Sequence, residues 1–291
     1  MSKQIYVEFM SDNRSAKTGL NISETAGFYY YYTIEELHHL YFYKFDKLIR
    51  IIKVPDDAKI TTKRQSRYLN SVSNEYIDLD FYTSDKIIVC QTYPLYDIKT
   101  AIALNLKITP RYIKNMCDLT NTNVLDKVDI WNELKNSGLK FEYDNYVLEW
   151  ASQNGFINVL EWWKNSGLEL KYNERALTLA SEYGHKNVLE WWKNSGLELK
   201  YDESPLDWAS SNGQVAVLEW WKQSGLELKY SEYALHWASQ NGHLGVLEWW
   251  KNSGLELKYA NKSKLIYAKS IDIMNWWKNS VSPVPWVTLR C

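Results

Sequence analysis

The residues in this chain that could do chemistry are sparse, and their spacing argues against most of it. His38 and His39 are adjacent in a stretch that reads as a helix. Neighbouring helical positions point about 100° apart, and the i, i+4 spacing with which helical histidines hold a metal is absent. Both are expected as surface or interface imidazoles. Cys90, Cys117 and Cys291 lie far apart, odd in number and without CxxC spacing, which speaks against a zinc site or a disulfide framework and fits a reducing compartment. No GxSxG, HExxH, P-loop or GxGxxG stretch occurs, and no acid, base and nucleophile recur together. The expectation is a non-enzyme with no catalytic residue, no cofactor and no metal.

Aromatic rings are the other chemistry on offer. Trp162-Trp163, Trp191-Trp192, Trp220-Trp221, Trp249-Trp250 and Trp276-Trp277 could form a ladder that stacks bases or sugars. Such a ladder needs interleaved cations, and Lys+Arg 34 against Asp+Glu 35 leaves a net charge of −1 with no basic surplus. Glu161 with Lys164, and Glu169 with Lys171, read instead as self-balancing pairs on a solvated face. No nucleic acid is expected, and the paired tryptophans read as core, each ring burying roughly 150–250 Å². One tryptophan of each pair is expected to stay partly exposed, because adjacent positions cannot point the same way. His185 and His243 are expected to make turn hydrogen bonds.

These residues must be positioned by a repeat. The stretch Leu160–Tyr172, LEWWKNSGLELKY, returns at Leu189–Tyr201, Leu218–Tyr230 and Leu247–Tyr259. A weaker form runs from Trp131 to Tyr143, and a worn fragment covers Trp276–Ser280. Gly138, Gly167, Gly196, Gly225 and Gly254 each stand 29 residues beyond the one before. A fixed period of roughly 20–50 residues marks a stacked array. Within the copy Ser231–Tyr259, the spacing predicts a helix over Ala234–Gln240 and a break at Asn241-Gly242-His243. A second helix follows from Leu244 to Asn252, with Val246, Leu247, Trp249 and Trp250 on one apolar face. Ser253-Gly254 ends it, and Leu255–Tyr259 alternates as an extended return. A helix pair of this size cannot bury its own apolar face, so copies must stack.

Ala234-Leu235-His236-Trp237-Ala238-Ser239-Gln240-Asn241-Gly242-His243-Leu244-Gly245-Val246-Leu247 resembles the ankyrin pattern TPLHxAAxxGHxxVV. Ser204-Pro205-Leu206-Asp207 is similar to its opening, and Gly254 falls where ankyrin repeats place the glycine after helix two. Ankyrin repeats run about 33 residues, so the shorter period implies a clipped loop where that family builds a hairpin. The WASxNGHxxVLEWWKNSGLELKY form is similar to the short-repeat ankyrin-like proteins of giant amoebal viruses of the mimivirus group. Val54-Pro55-Asp56-Asp57-Ala58 and Asp85-Lys86-Ile87-Ile88-Val89 are similar to a signature in their N-terminal regions. The resemblance covers the array over about 110–280 and, less strongly, the N-terminal part. It implies a binding scaffold.

The expected fold is mainly α: an ankyrin-like helix-turn-helix solenoid with a small α+β N-terminal module at 1–93. Degenerate leading repeats follow at 94–143, with helical patterns at Asp97–Leu106, from Pro110, and from Val124 to Leu134. Four full repeats occupy 144–259, and a capping repeat and tail occupy 260–291. In the module, Phe28–Tyr32 reads as a strand, Thr33-Ile34-Glu35-Glu36 as a capping box opening a helix to about Tyr43, and Lys47–Val54 and Lys86–Cys90 as strands. Residues 58–80 read as loop.

Function is expected where the copies differ. Helix two and its exit barely change, whereas the start and outer face of helix one do. In ankyrin-type stacks that side lines the groove that holds partners, so Tyr146, Glu149, Arg175, Tyr183, Asp207, Tyr233 and His236 are the candidate partner-binding residues. Tyr146, Arg175, Tyr183 and Tyr233 are of the types that make interface hot spots. The expectation is a monomeric scaffold or adaptor for a protein partner, a host protein if the chain is viral. The alternative is a structural or self-associating component of a viral particle or assembly. No stretch approaches the ~18 apolar residues of a membrane span, and Met1–Glu8 shows no signal-peptide run. A cytoplasmic place, the host's if viral, is expected, or a virion under the alternative.

Overall fold

The computed structural model describes residues 5–10, 18–23, 29–41, 47–70, 75–119, 128–259, 266–281 and 287–289. Phe28, Val124, Leu125 and most of the tail after Val281 lie outside them. The chain divides into two compact units, Met1–Tyr143 and Asp144–Cys291.

The first unit is built on a seven-stranded antiparallel sheet with strands β1 (Tyr6–Met10), β2 (Gly19–Ile22), β3 (Tyr29–Thr33), β4 (Leu48–Lys53), β5 (Thr61–Asn70), β6 (Glu75–Ser84) and β7 (Lys86–Pro94). Their order is β2-β7-β4-β1-β3-β6-β5. This sheet makes the protein mixed α and β, not mainly α. The strands expected at 28–32, 47–54 and 86–90 are present. The loop expected over 58–80 is wrong, because β5 and β6 pair there from Thr61↔Thr83 to Asn70↔Glu75. Strand β5 was hidden because it carries almost no apolar residue as the sheet's outer edge, with Thr61–Ser66 all exposed. Strand β6 did carry a signal, since Ile77, Leu79 and Phe81 alternate with Asp78 and Asp80 at the period of a strand, and the loop reading passed over it.

One face of this sheet is closed by Tyr31, Ile52, Ile87 and Val89, with Tyr6 and Tyr82 packed beside them. Tyr31 meets both rings at 5.2 and 5.8 Å, while Tyr30 points outward. Thr33 does precede a helix, but a 3-10 helix ending at Leu40, and its hydroxyl meets the Glu36 carboxylate, not a backbone N–H. Among its described residues the unit also has helices α1 (Ile98–Ala103), α2 (Pro110–Leu119) and α3 (Val128–Asn136). Asp97 caps α1 by accepting from the Thr100 N–H at 3.0 Å. Asn115 Nδ2 donates to the Tyr41 carbonyl at 2.6 Å and to the Tyr96 hydroxyl at 2.8 Å, tying α2 to the end of the 3-10 helix.

The second unit repeats one device. Its helices are α4 (Tyr146–Asn154) and α5 (Ile157–Asn165), α6 (Arg175–Glu182) and α7 (Lys186–Asn194), α8 (Ser204–Ser211) and α9 (Val215–Gln223), and α10 (Tyr233–Asn241) and α11 (Leu244–Asn252). The first helices of successive pairs stack on one another along the array. Each pair turns on a glycine with positive φ, a conformation L side chains rarely adopt. At Gly184 and Gly213 the next repeat adds a second requirement. A Cβ would stand 2.6 Å from Gln214 Oε1 in one and 2.8 Å from His243 Nδ1 in the other. The connections between pairs contain no strand. A short parallel pair, β8 (Ile266–Ala268) with β9 (Val287–Leu289), and helix α12 (Ile271–Ser280) close the unit.

Candidate interaction surface

The aromatic side chains of helix two and its exit are engaged mainly by neighbouring repeats, while Lys193, Asn194 and Glu198 are exposed. The second tryptophan of each pair is buried, and from the second full repeat onward its indole donates into the preceding repeat's first helix. Trp192 reaches Ser152 Oγ at 3.0 Å, Trp221 reaches Ser181 at 3.0 Å, Trp250 reaches Ser210 at 2.9 Å and Trp277 reaches Ser239 at 2.8 Å. Each serine is fully buried, so the bond satisfies two groups that water cannot reach. The first tryptophans of the full repeats are half-buried, as the divergence of adjacent positions requires. Trp191, Trp220 and Trp249 donate to Glu161, Glu190 and Glu219 of the preceding copy at 2.7, 2.7 and 2.8 Å.

These glutamates are not simply one half of a surface charge pair with lysine. The indole N–H, then the side-chain amide one turn on, holds each carboxyl below its ordinary value, with the nearby lysine the lesser influence. The exit tyrosines complete the ladder. Tyr172, Tyr201 and Tyr230 lay their rings 5.1, 5.0 and 4.6 Å from Trp192, Trp221 and Trp250. Their hydroxyls donate to the carbonyls of Glu198, Glu227 and Glu256. Lys200, Lys229 and Lys258 stand 4.7, 4.8 and 4.3 Å above the same rings. The residues of LEWWKNSGLELKY that bond or stack on a neighbouring copy, its first glutamate, its tryptophans, its last lysine and its tyrosine, are thus the same in every full repeat.

The first helices present the other surface. Tyr183 is 49% exposed and Tyr233 42%, Arg175 is exposed, and Tyr146 and His236 are half-buried. Glu149 and Asp207 correct the expectation of a contact ridge, since only 4% and 3% of their surfaces reach solvent. Each closes a junction between repeats. Glu149 accepts from Asn145 and, at 3.1 Å, from the Arg175 Nε of the following copy. Asp207 accepts from the Ser231 N–H at 2.9 Å and from its hydroxyl. Burial pushes the Asp207 carboxyl above its ordinary value against the pull of those bonds, and Glu203 and Asp202 push the same way.

Sequence reasoning overlooked the tryptophans of the first helices. Trp150, Trp208 and Trp237 occupy one position of the repeat, which Leu179 fills in the second copy. Trp150 is buried against Phe156 at 5.0 Å. Trp208 is 38% exposed, lies 5.0 Å from Trp237, and Trp237 in turn stacks on Tyr233 at 4.9 Å and 19°. The recurrence at 29-residue spacing, with Tyr233 and Trp237 one turn apart, was the available signal. The conspicuous double tryptophans drew attention from it.

Elsewhere, His38 and His39 do not diverge. Their ring centroids lie 3.8 Å apart, and burial, with Lys107 nearby, lowers both below the ordinary histidine value. Among the described residues, no three histidine, cysteine, aspartate or glutamate side chains converge as for a metal ion. No helix among them is long and apolar enough to cross a membrane.

Residues 206–249, which span most of α8 to α11, match the family model for ankyrin repeats (many copies). That stretch is of a kind that serves as a protein-binding scaffold and is typically non-catalytic, and no enzyme family is found. No curated protein matches the chain.

Proposed function

We propose that this protein is a non-enzymatic scaffold that binds a protein partner on the first-helix surface of its repeats. The observation that carries this reading is the division of labour within each copy. The tryptophans and exit tyrosines of helix two are taken up by contacts between repeats, whereas the first helices and the turn after them expose large aromatic side chains, among them Tyr183, Trp208 and Tyr233. Rigid, preformed surfaces bind with little ordering cost, and exposed tyrosine and tryptophan are the residue types that dominate interfaces. Tyr146, Arg175, Tyr183, Tyr233 and His236 are the contact residues under this reading, with Glu149 and Asp207 fixing their repeats from beneath. The similarity of the repeat to short-repeat proteins of giant amoebal viruses supports a host protein as partner and the host cytoplasm as the place. In the N-terminal unit, edge strand β2 exposes Leu20 and Ile22, which suits a second contact and an adaptor role.

Site-specific photo-crosslinking tests the reading. A crosslinker at Tyr183 or His236 is compared with one at Lys193 or Lys251 on the outer face of helix two, in lysate of an amoebal host. One protein captured from the first-helix positions alone supports the scaffold. Capture from the helix-two positions alone overturns the assigned surface.

A second reading, a self-associating structural component, rests on Tyr267, Ile271 and Leu289, which are exposed around the last helix. It requires the apparent mass to rise with concentration in light scattering, and Ile271→Asp to abolish the rise.

A further inference from the structure

The junction between the third and fourth full repeats differs from the one between the first and second in a way that points to a class of partner. At the earlier junction the buried carboxylate Glu149 is met by a guanidinium from within the chain, Arg175 Nε at 3.1 Å. At the later one Asp207 meets only the neutral Ser231. Acids gather around it. Asp202 and Glu203 are exposed at the start of α8, close enough for their charge to act on Asp207, and Glu232 follows Ser231 directly. No lysine or arginine occurs between Asp202 and Trp221 or between Ser231 and Trp250. Lys200 and Lys229, which precede these stretches, are held over the rings of Tyr172 and Tyr201.

The same two first helices that these acids precede carry the strip Trp208–Trp237–Tyr233, its rings 5.0 and 4.9 Å apart. Its two end rings, Trp208 and Tyr233, are exposed. The face of an aromatic ring is electronegative and attracts a cation, most strongly when tryptophan supplies it. A guanidinium is planar and weakly hydrated, so it can stack on a ring and still pair with a carboxylate at its edge. A nucleic acid would also stack on such rings, but its phosphates would be repelled by the exposed Asp202 and Glu203.

We infer that the first-helix face of the third and fourth full repeats docks an arginine-bearing segment of a partner protein, its guanidinium laid on Trp208 or Tyr233 and paired with Asp202, Glu203 or Glu232. This rests on the scaffold reading and narrows it from any protein partner to a cationic one.

The test uses the full chain and short fluorescein-labelled peptides carrying arginines spaced by glycine, with matched lysine, glutamine and glutamate peptides and a labelled single-stranded oligonucleotide. Binding is read by anisotropy. The arginine peptide should bind roughly tenfold or more tighter than the glutamine peptide, with lysine between them. Raising salt from about 50 to about 300 mM should weaken it severalfold. Trp208→Ala with Tyr233→Ala, and separately Asp202→Asn with Glu203→Gln and Glu232→Gln, should each weaken it by about fivefold or more. Asp202 and Glu203 are exposed, so the pair Asp202→Asn with Glu203→Gln, made without the half-buried Glu232, remains decisive if the aromatic variant proves unstable by circular dichroism.

Equal binding of the arginine and glutamine peptides, or arginine binding untouched by the carboxylate variant, would overturn the inference. So would tighter binding of the glutamate peptide or the oligonucleotide. Binding of the glutamine or glutamate peptide that is lost in the aromatic variant removes the charge preference while leaving the scaffold in place. Absence of binding by every peptide also overturns the cationic partner, and the crosslinking comparison then judges the scaffold separately.

Discussion

The two helices of each repeat carry the same residue type to opposite ends. On helix two, tryptophan is structural. Trp192, Trp221, Trp250 and Trp277 are buried with their indoles bonded to buried serines, and Trp191, Trp220 and Trp249 beside the first three are tied to glutamates one copy back. On helix one, Trp208 and Trp237 lean on each other and on Tyr233 at the surface. The lesson concerns constancy between copies. The helix-two glutamate, both tryptophans and the exit tyrosine that meet a neighbouring copy are the same in every full repeat. Junctions made by helix one, Glu149 with Arg175 and Asp207 with Ser231, use a different pair at each place. A side chain that touches solvent or a partner is free to differ, and most of the differences fall on the first helices, the turn and the first two positions of helix two.

The largest expected effect sets those two tryptophans against each other. Trp221→Ala should cost about 3–5 kcal/mol in urea unfolding, from lost burial and the cavity left behind. Trp208→Ala should cost about 1 kcal/mol or less, as for an exposed side chain. Equal losses would erase the distinction between the faces. Next comes the serine beneath the indole. Ser181→Ala leaves the Trp221 N–H buried without its acceptor and should cost about 1–3 kcal/mol, whereas Ser181→Thr, if its hydroxyl keeps the bond, should recover part of it.

Proton linkage sharpens the comparison further, because the two faces titrate with opposite signs. Glu161, Glu190 and Glu219 have carboxyls held below their ordinary value. The stabilisation they give is complete above pH 4.5, the ordinary glutamate value, and is lost as pH falls through their lower folded values. Replacing all three by glutamine should flatten that acid loss in denaturation curves taken from pH 6 down to about 2.5. Asp207 is raised, so the folded state holds its proton longer and stability declines as pH rises from 3.8 towards the higher folded value. Asp207→Asn should remove that decline. The smallest effect belongs to Arg175→Ala. Its side chain is 63% exposed, so the solvent-screened pair with Glu149 should be worth about 0.5–1 kcal/mol at low salt and less at high salt.

Some of this architecture could be read directly from the chain. The second helix of each repeat was legible from Val246, Leu247, Trp249 and Trp250 on one face, and its end from Ser253-Gly254, because periodicity and a left-handed glycine are local properties. The period itself told that copies must touch. The hairpin of β5 and β6 was not legible as a whole, since an edge strand such as Thr61–Asn70 is held by backbone bonds to one neighbour and needs no apolar alternation. The burial of Glu149 and Asp207 was hidden for a related reason. Their partners, Arg175 and Ser231, stand 26 and 24 residues further on, and a charged residue on the variable side of a helix looks like surface until its neighbour is in place.

By itself, then, the sequence determined that this is a repeat array of helix pairs with a tryptophan core, because spacing and turn chemistry act within a few residues and each copy states them again. Only the tertiary structure decided which acid lies under a guanidinium and which under a hydroxyl. It also decided which tryptophans face the next repeat and which face outward. Those outcomes depend on side chains from different copies meeting in space, and a hydrogen bond or a buried charge is settled by distance between groups, not by their order along the chain.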